Sequence, residues 1–210
     1  MKNIVIGLSL LLGFSVSAIA GDAAAGKEKT LVCSACHGAD GNSAAPTFPK
    51  LAGQNERYLL KQLQDIDSGA RPVPTMAGQL DNMSEQDLAD IAAFYASQTP
   101  SGGQADPEKI ALGASVYRGG VSATGVAACA ACHGARGGGN APAGFPALAG
   151  QHAEYIADQL RRFRTGAENT LEQNPNGRVN DGDARMMRDT ALRMTDNEID
   201  AVASFIAGLH

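Results

Sequence analysis

The sequence of 210 residues contains no tryptophan, few aromatic residues and only four cysteines. No stretch of useful length alternates apolar and polar residues, as a half-buried β-strand would. Acidic residues outnumber basic ones by 22 to 17, and a mildly acidic chain is a poor match for nucleic acid. These absences favour a mainly helical protein that does not bind nucleic acid.

All four cysteines fall in two copies of one motif, CSACH at residues 33–37 and CAACH at residues 129–133. C-x-x-C-H is the signature of c-type haem attachment, in which both thiols add to the haem vinyl groups and the imidazole binds the iron. The sequence therefore predicts two covalently bound haem c groups. The predicted attachment residues are Cys33, Cys36, Cys129 and Cys132, and the predicted proximal iron ligands are His37 and His133.

Two other uses of a C-x-x-C motif are a redox dithiol and a zinc site. A zinc ribbon separates its two C-x-x-C pairs by roughly fifteen to twenty residues. Here the two motifs start 96 residues apart, at positions 33 and 129. The spacing and the matched surroundings of the two motifs favour haem.

The N-terminus has the pattern of a secretory signal peptide. Lys2 precedes an apolar run over 4–20 that ends in Ala-Ile-Ala, an A-x-A cleavage pattern. We predict a signal peptide over 1–20 and a mature chain that begins near Gly21; an uncleaved membrane anchor is the alternative. Export argues against a cytosolic thioredoxin-like role for the cysteines.

The chain contains one long internal repeat. FPKLAGQ at 48–54 returns as FPALAGQ at 145–151, and each copy precedes a stretch with apolar residues at helical spacing. Residues 99–107 are rich in proline, glycine and polar residues, as expected of a linker. We predict two homologous domains, 21–98 and 108–210, joined by the linker 99–107.

Six helical stretches are predicted, three in each half: 22–36, 56–66, 84–97, 107–118, 154–164 and 195–209. Each half has about a hundred residues or fewer, a size at which a core of side chains alone is modest. A buried haem would supply much of the missing apolar core.

The sixth iron ligand decides the chemistry, because methionine there favours electron transfer and an open position permits ligand binding. Met76 and Met187 each lie eight residues before a helix-capping residue, Ser84 and Thr195 respectively. This equivalence favours Met76 and Met187 as distal ligands. Met186 falls one residue out of register and remains the alternative in the second half.

The other methionines and histidines need no metal. Met83 and Met194 each precede a capping box, where a hydrophobic residue often packs against the fourth residue of the helix. We expect them to contact Leu88 and Ile199. Two histidines outside the motifs are not expected to bind iron: His152 and His210.

Together these motifs resemble the cytochrome c4 family, the two-domain, di-haem class I cytochromes c of bacterial periplasms. The resemblance rests on both C-x-x-C-H motifs, both F-P-x-L-A-G-Q segments, the NDGD stretch at 180–183 and the closing helices. It implies that Met76 and Met187 are the distal ligands, and that the Pro46 and Pro142 loops carry the carbonyls that orient the proximal histidines. It also implies that the two haem edges lie close together. The segment from Gly69 to Met76 is shorter than in the family.

The resemblance implies an all-α fold of two tandem class I cytochrome c-type domains, each around one covalent haem. It implies a periplasmic electron carrier, not an enzyme, that takes electrons from a quinol-oxidising complex or another donor and passes them to a terminal oxidase. Peripheral association with the membrane is left open. The alternatives are a haem subunit of a sulfur-compound dehydrogenase and a di-haem peroxidase, which would need one open iron.

Overall fold

The computed structural model describes residues 20–210, so residues 1–19, which hold most of the predicted signal peptide 1–20, lie outside the described residues. The described chain contains no β-strand, only two isolated bridges. The prediction of an all-α fold is confirmed. The helices are α1 (Ala23–Lys29), α2 (Ser34–His37), α3 (Glu56–Asp67), α4 (Glu85–Ala96), α5 (Ile110–Gly119), α6 (Ala130–His133), α7 (Ala153–Glu168), α8 (Met186–Ala191) and α9 (Asp196–Ala207), with a 3-10 helix at Pro74–Met76.

The helices form two groups with the same order. In the first group α1 and α3 pack against α4, and in the second α5 and α7 pack against α9. Helix α8 packs against α7, and the described part of the first group has no helical counterpart of that length. The fold is therefore two tandem helical domains, in each of which the closing helix lies at the centre of the packing.

The predicted helix over 22–36 is wrong as one continuous element. Helix α1 ends at Lys29, because both the N–H and the hydroxyl of Thr30 bond to the carbonyl of Lys27. The chain turns before α2 begins at Ser34. The other five predicted helices exist with ends shifted by up to four residues, whereas α8 was not predicted.

Both closing helices begin with the predicted capping boxes, Ser84 with Asp87 and Thr195 with Glu198. Met194 is buried in the same core cluster as Ile199, as expected of a hydrophobic staple. The first domain's Met83 packs against its core cluster.

Glycine allows the first and last helices of each domain to cross closely. A Cβ at Gly26 would collide with the carbonyl oxygen of Asp90 on α4, and a Cβ at Gly113 would collide with that of Ala201 on α9. The two helix crossings are therefore equivalent, and Asp90 occupies the position of Ala201.

The polar contacts that hold these two helix pairs differ. In the first domain the buried Asp90 carboxylate accepts from the backbone N–H of Asp22 (2.8 Å), from Gln86 Nε2 (2.8 Å) and from Lys29 Nζ (2.6 Å). In the second, the Ser204 hydroxyl accepts from the N–H of Asp106 at 2.9 Å. The polar contact at the first helix pair is therefore made by a buried carboxylate, and the contact at the second helix pair by a neutral hydroxyl.

The domains meet through their F-P-x-L-A-G-Q segments in a reciprocal exchange. The Gln54 side chain accepts from the N–H of Ala147 and donates to its carbonyl, both at 2.8 Å. The Gln151 side chain accepts from the N–H of Lys50 at 2.9 Å and donates to its carbonyl at 2.8 Å. Each glutamine thus pairs with the other domain's backbone as a strand would.

The Lys50 side chain also holds the connecting segment. Its Nζ donates to the carbonyls of Ser101 (3.2 Å), Gly102 (3.0 Å) and Gly150 (3.0 Å). Asn42 adds bonds to the carbonyl of Thr99 and the N–H of Ser101. These bonds fix the segment to the first domain, and the bond from the N–H of Asp106 to the Ser204 hydroxyl fixes it to the second. Over residues 20–210, no helix is both long enough and apolar enough to span a bilayer.

Candidate haem sites

The proximal histidines end the short helices α2 and α6, and the two domains orient them in the same way. His37 Nδ1 lies 2.9 Å from the carbonyl oxygen of Pro49, and His133 Nδ1 lies 2.9 Å from that of Pro146. Because a carbonyl only accepts, each Nδ1 carries the proton and each Nε2 is left with a free lone pair. That tautomer is the one that binds iron through Nε2.

The carbonyls that orient the histidines lie in the same loops as Pro46 and Pro142, as expected, but they belong to Pro49 and Pro146 and not to those two prolines. They come from the Phe-Pro pair of each F-P-x-L-A-G-Q segment. Pro46 and Pro142 share a spacing of nine residues from their histidines, but Pro49 and Pro146 lie 12 and 13 residues away. The second loop is one residue longer, and equal spacing therefore selected prolines that are not structurally equivalent.

Burial keeps both imidazoles in the neutral form. Burial lowers the pKa of His37 and of His133, and the bond to the proline carbonyl acts in the opposite direction. The phenylalanine of each F-P pair lies beside its histidine, with the ring centroids of His37 and Phe48 6.2 Å apart. A neutral, oriented imidazole is ready to ligate a metal at neutral pH.

The four cysteines are unpaired, and each motif has one cysteine turned toward the core. Cys33 and Cys129 are half-buried against the core clusters of their domains, and burial raises the pKa of Cys129 to about 11. Cys36 and Cys132 are exposed. In each motif the two thiols and the histidine therefore lie within one helical turn.

In the second domain the structure distinguishes the two candidate methionines. Met187 packs against the core cluster that also contacts Cys129, whereas Met186 is 47% exposed. Asp181 fixes this segment: its Oδ2 accepts from the N–H groups of Met187 (3.0 Å) and Arg188 (2.9 Å).

A buried ion pair supports that arrangement. Asp181 Oδ1 lies 2.6 Å from Arg188 Nε, and the two side chains are 5% and 12% exposed. Arg185, just before α8, has a positive φ of 49°. The sequence showed the NDGD stretch but not that its first aspartate holds the backbone of Met187.

Met76 lies in a different setting. It ends the 3-10 helix Pro74–Met76, and its N–H bonds to the carbonyl of Val73 at 2.8 Å. It lines a cleft of about 320 Å³ whose other walls include Ile66 and Leu80. Met76 thus faces a mostly apolar cleft and lacks the carboxylate that holds Met187.

Sequence reasoning missed a pair of buried arginines at the domain contact, Arg71 and Arg178. They are equivalent, because their N–H groups bond to the carbonyls of Asp65 and Arg162 at matching positions on α3 and α7. Aligning the repeat with an insertion before Arg178 would have matched them. Their side-chain partners include one glutamine and one tyrosine from each domain: Gln62, Gln159, Tyr58 and Tyr155.

The arginine pair carries charge into a buried region. Arg71 and Arg178 are 8% and 6% exposed, and no carboxylate within residues 20–210 forms an ion pair with either. Although burial alone would raise it, the pKa of Tyr58 is lowered by the guanidiniums of Arg178 and Arg71. Buried cations of this kind call for an anionic partner.

The two remaining histidines lie away from the motifs. His152 Nε2 donates across the domain contact to the carbonyl of Ser43 at 2.9 Å, and its counterpart Asn55 donates to the carbonyl of Phe145 at 2.6 Å. His210 is exposed, with Nδ1 3.0 Å from the carbonyl of Gly208. His152 is therefore an interface residue.

These residues fit covalent haem. Each domain offers two thiols, a neutral imidazole with Nε2 free and a methionine on an apolar surface, which is the donor set of a c-type cytochrome. The buried guanidiniums suit the carboxylates that a haem carries. The buried hydroxyl of Tyr95 has no hydrogen-bond partner in the described chain.

Comparisons with known proteins agree with this chemistry. The family model for cytochrome c matches twice, at residues 23–99 and 112–210. The chain is 52% identical over 211 residues to cytochrome c4 of Pseudomonas aeruginosa, with both chains fully covered. It is 35% identical over 189 residues to a thiosulfate dehydrogenase electron acceptor of Stutzerimonas stutzeri, covering 85% of this chain and 79% of that one.

The fold is similar to a solved structure of the same family. The crystal structure of reduced cytochrome c4 from Pseudomonas stutzeri superposes with a TM-score of 0.85 and 51% sequence identity, covering 91% of this chain and all of that one. Family match, full-length identity and duplicated haem motifs therefore agree. The chain belongs to the cytochrome c4 family of electron carriers, with two covalently bound haem c groups.

Proposed function

We propose that this chain shuttles electrons in the periplasm, with both irons closed by a histidine and a methionine. The proposed axial pairs are His37 with Met76 and His133 with Met187, and the proposed attachment residues are Cys33, Cys36, Cys129 and Cys132. The observation that carries the proposal is the identical orientation of the two histidines, each bonded at 2.9 Å to a proline carbonyl. Two sites built alike suit one task, whereas a peroxidase needs one closed iron and one open iron.

In this proposal the protein's residues supply the iron ligands and orient them. When bound, each haem iron gains or loses one electron. The proline carbonyls hold the imidazoles in one tautomer, and Met187 packs against the core of its domain. Rigid ligands that are retained in both oxidation states keep reorganisation small. No general acid, base or nucleophile is required.

The choice of Met187 over Met186 is supported by their surroundings. Met187 packs against the core that includes Cys129, and its backbone is held by Asp181. The assignment of Met76 is supported by repeat register and by its place on an apolar cleft.

We propose a quinol-oxidising complex as donor and a terminal oxidase as acceptor. A specific observation favours a second donor, because the thiosulfate dehydrogenase electron acceptor of S. stutzeri is similar over most of its length. In that case the chain would take electrons from a sulfur-compound dehydrogenase, with the same two haem sites and the same outer-sphere chemistry.

We further propose the domain limits 21–98 and 108–210, the linker 99–107 and a cleaved signal peptide over 1–20. The linker assignment is supported by the position of residues 99–102 between α4 and α5, outside both helix groups. Lys50 and Asn42 of the first domain bond to the backbone of this segment. N-terminal sequencing of the exported protein tests the cleavage site.

The deciding experiment is spectroscopic. Purified ferric holoprotein should show methionine-to-iron charge-transfer absorption for two haems, and the ferrous protein should not respond to carbon monoxide. A high-spin fraction or rapid carbon monoxide binding at one haem would contradict two closed sites. Stopped-flow mixing with a purified quinol-oxidising complex or with a thiosulfate dehydrogenase then separates the two donors by rate.

A further inference from the structure

The two domains place a tyrosine at the same site from opposite helices. In the first domain Tyr95 comes from the closing helix α4, and the equivalent position of α9 is Ile206. In the second domain Tyr117 comes from the opening helix α5, and the equivalent position after α1 is Thr30. Each tyrosine packs in the core cluster against which the first cysteine of its haem motif lies, Cys33 or Cys129.

The two tyrosine hydroxyls differ in their hydrogen bonding. Tyr117 Oη donates to the carbonyl of Gly134 at 2.7 Å, next to the proximal histidine. Tyr95 Oη is buried and has no hydrogen-bond partner within residues 20–210. Both residues are almost fully buried, at 1% for Tyr95 and 0% for Tyr117. The second domain satisfies its tyrosine with the backbone, and the first domain does not.

An unsatisfied buried hydroxyl costs about 1–3 kcal/mol, so its retention calls for an explanation. Phenylalanine would fill the same space without this cost. The hydroxyl of Thr30 donates to the carbonyl of Lys27 at 2.9 Å, and its oxygen makes no hydrogen bond with Tyr95 Oη. Burial raises the pKa of Tyr95, so that its hydroxyl keeps its proton and remains a donor.

Two side chains that pack on this cluster carry a sulfur acceptor, Met83 and Cys33. The tyrosine hydroxyl opposes the rise that burial causes in the pKa of the Cys33 thiol, so it lies beside Cys33. The sulfur of Cys33 is a weak acceptor, and in the holoprotein it is a thioether attached to the first haem. The closing helix thus places a hydroxyl donor near the first attachment cysteine of the first domain. In the second domain the same place holds Tyr117, whose proton is already used by Gly134.

We propose that the Tyr95 hydroxyl donates a hydrogen bond to the thioether sulfur of Cys33 and so favours the reduced state of the first haem. A donor at this sulfur withdraws electron density from the macrocycle, and hydrogen bonding around a haem is one of the levers on its potential. Tyr95 acts through the attachment residue and is therefore a positioning residue. The inference rests on covalent haem at Cys33 and is independent of the donor and acceptor proteins.

The test compares two substitutions that each remove one hydroxyl, Tyr95→Phe and Tyr117→Phe, in the holoprotein. We expect Tyr95→Phe to lower one of the two reduction potentials, so that the ratio of reduced to oxidised haem at a fixed potential falls by about three- to tenfold; tenfold corresponds to about 59 mV. Tyr117→Phe should leave both ratios within about twofold, because the lost bond went to a backbone carbonyl.

A vibrational measurement separates this role from a structural one. The C–S stretching mode of one thioether in the resonance Raman spectrum should shift in Tyr95→Phe and not in Tyr117→Phe. Unchanged potentials and an unchanged C–S mode in Tyr95→Phe would overturn the proposal, as would equal shifts of potential in both variants.

If Tyr95→Phe does not accumulate with two haems, wild-type protein provides the same test. Exchange into deuterium oxide replaces the hydroxyl proton by a deuteron, and a hydrogen-bonded thioether mode should then shift. A mode that is insensitive to the isotope would also overturn the proposal.

Discussion

The two domains are alike around the proximal histidine and different around the distal methionine. His37 and His133 have equivalent proline carbonyls as partners at the same distance, and both domains use a close helix crossing at glycine. The methionine segments diverge: Met187 is held by the buried Asp181–Arg188 pair, whereas Met76 sits in a 3-10 turn beside a cleft. The surroundings of the proximal histidine have therefore stayed alike in the two domains since the duplication, whereas those of the methionine have changed.

The largest effect in this comparison should come from removing the methionines themselves. Met187→Ala should open one iron to carbon monoxide and lower one potential by on the order of 0.1 V, because axial ligands set haem potentials over about 0.8 V. Met76→Ala should do the same to the other haem. The exposed Met186 provides the control, and carbon monoxide titration of ferrous Met186→Ala should show no binding. Binding in that variant would move the ligand to Met186.

Asp181→Ala should remove what distinguishes the second methionine segment. The change leaves Arg188 buried without its partner and two N–H groups without an acceptor, at a cost of about 3 kcal/mol to the second domain. We expect the ferric methionine charge-transfer band to lose up to half its intensity at neutral pH. Asp183→Ala, at an exposed position two residues on, should leave the band intact. Equal spectra for both variants would mean that Asp181 does not position Met187.

The reciprocal glutamines test whether the domains act as one unit. Gln54→Leu leaves the N–H and carbonyl of Ala147 without partners, and we expect interface opening to become easier by about 2 kcal/mol. Gln151→Leu should have a smaller effect, because Lys50 Nζ still bonds across the interface to the carbonyl of Gly150. Hydrogen exchange at the amides of Ala147 and Lys50 measures both. In the control variant Gln98→Leu, the lost side-chain amide bonds within the end of its own helix. If the amides of Gln54→Leu were as well protected as those of this control, the glutamine bonds would not be the main contact between the domains.

The smallest effect concerns pH and the first domain alone. Hydrogen bonds from Asp22, Lys29 and Gln86 lower the pKa of Asp90 to about 2, below the roughly 3.9 of an unfolded aspartate. Because the folded value is the lower one, Asp90 stabilises the fold above about pH 4, and that stability is lost as pH falls towards 2.

Thermal unfolding from pH 7 to pH 2 checks this. Asp90→Asn should unfold several degrees below wild type at pH 7, and the gap should close under acid. The second domain has Ala201 at this position and should not contribute. A gap that persists at pH 2, or one that an exposed Asp67→Asn control reproduces, would show that the charge is not responsible.

The sequence predicted what depends on local pattern: the duplication, the capping boxes at Ser84 and Thr195, and the staple at Met194. It did not predict the features that depend on contacts between segments distant in the sequence. The carbonyls of Pro49 and Pro146 were missed because one extra loop residue shifts the register of the repeat. Helix α8 was missed because it is short and its N-terminal acceptor, Asp181, lies outside it.

Interface residues were the hardest to predict. Arg71 and Arg178 align only when the insertion before Arg178 is taken into account. Their role depends on contacts with the other domain, and the sequence alone does not show how the two domains meet. Tyr95 and Tyr117 come from non-equivalent helices, so that no alignment of the two halves pairs them. Such exchanges between helices are visible only in three dimensions.

The exchange between Gln54 and Gln151 is isologous: the same surface of each half contacts the same surface of the other. A contact of that kind is self-complementary, and two separate copies of one half would satisfy it about a two-fold axis. The connecting segment therefore does not create the interface; it fixes the stoichiometry and raises the effective concentration of one half near the other. Once the halves are joined, each can diverge at positions such as Lys50 and Ala147, which a symmetric pair must share.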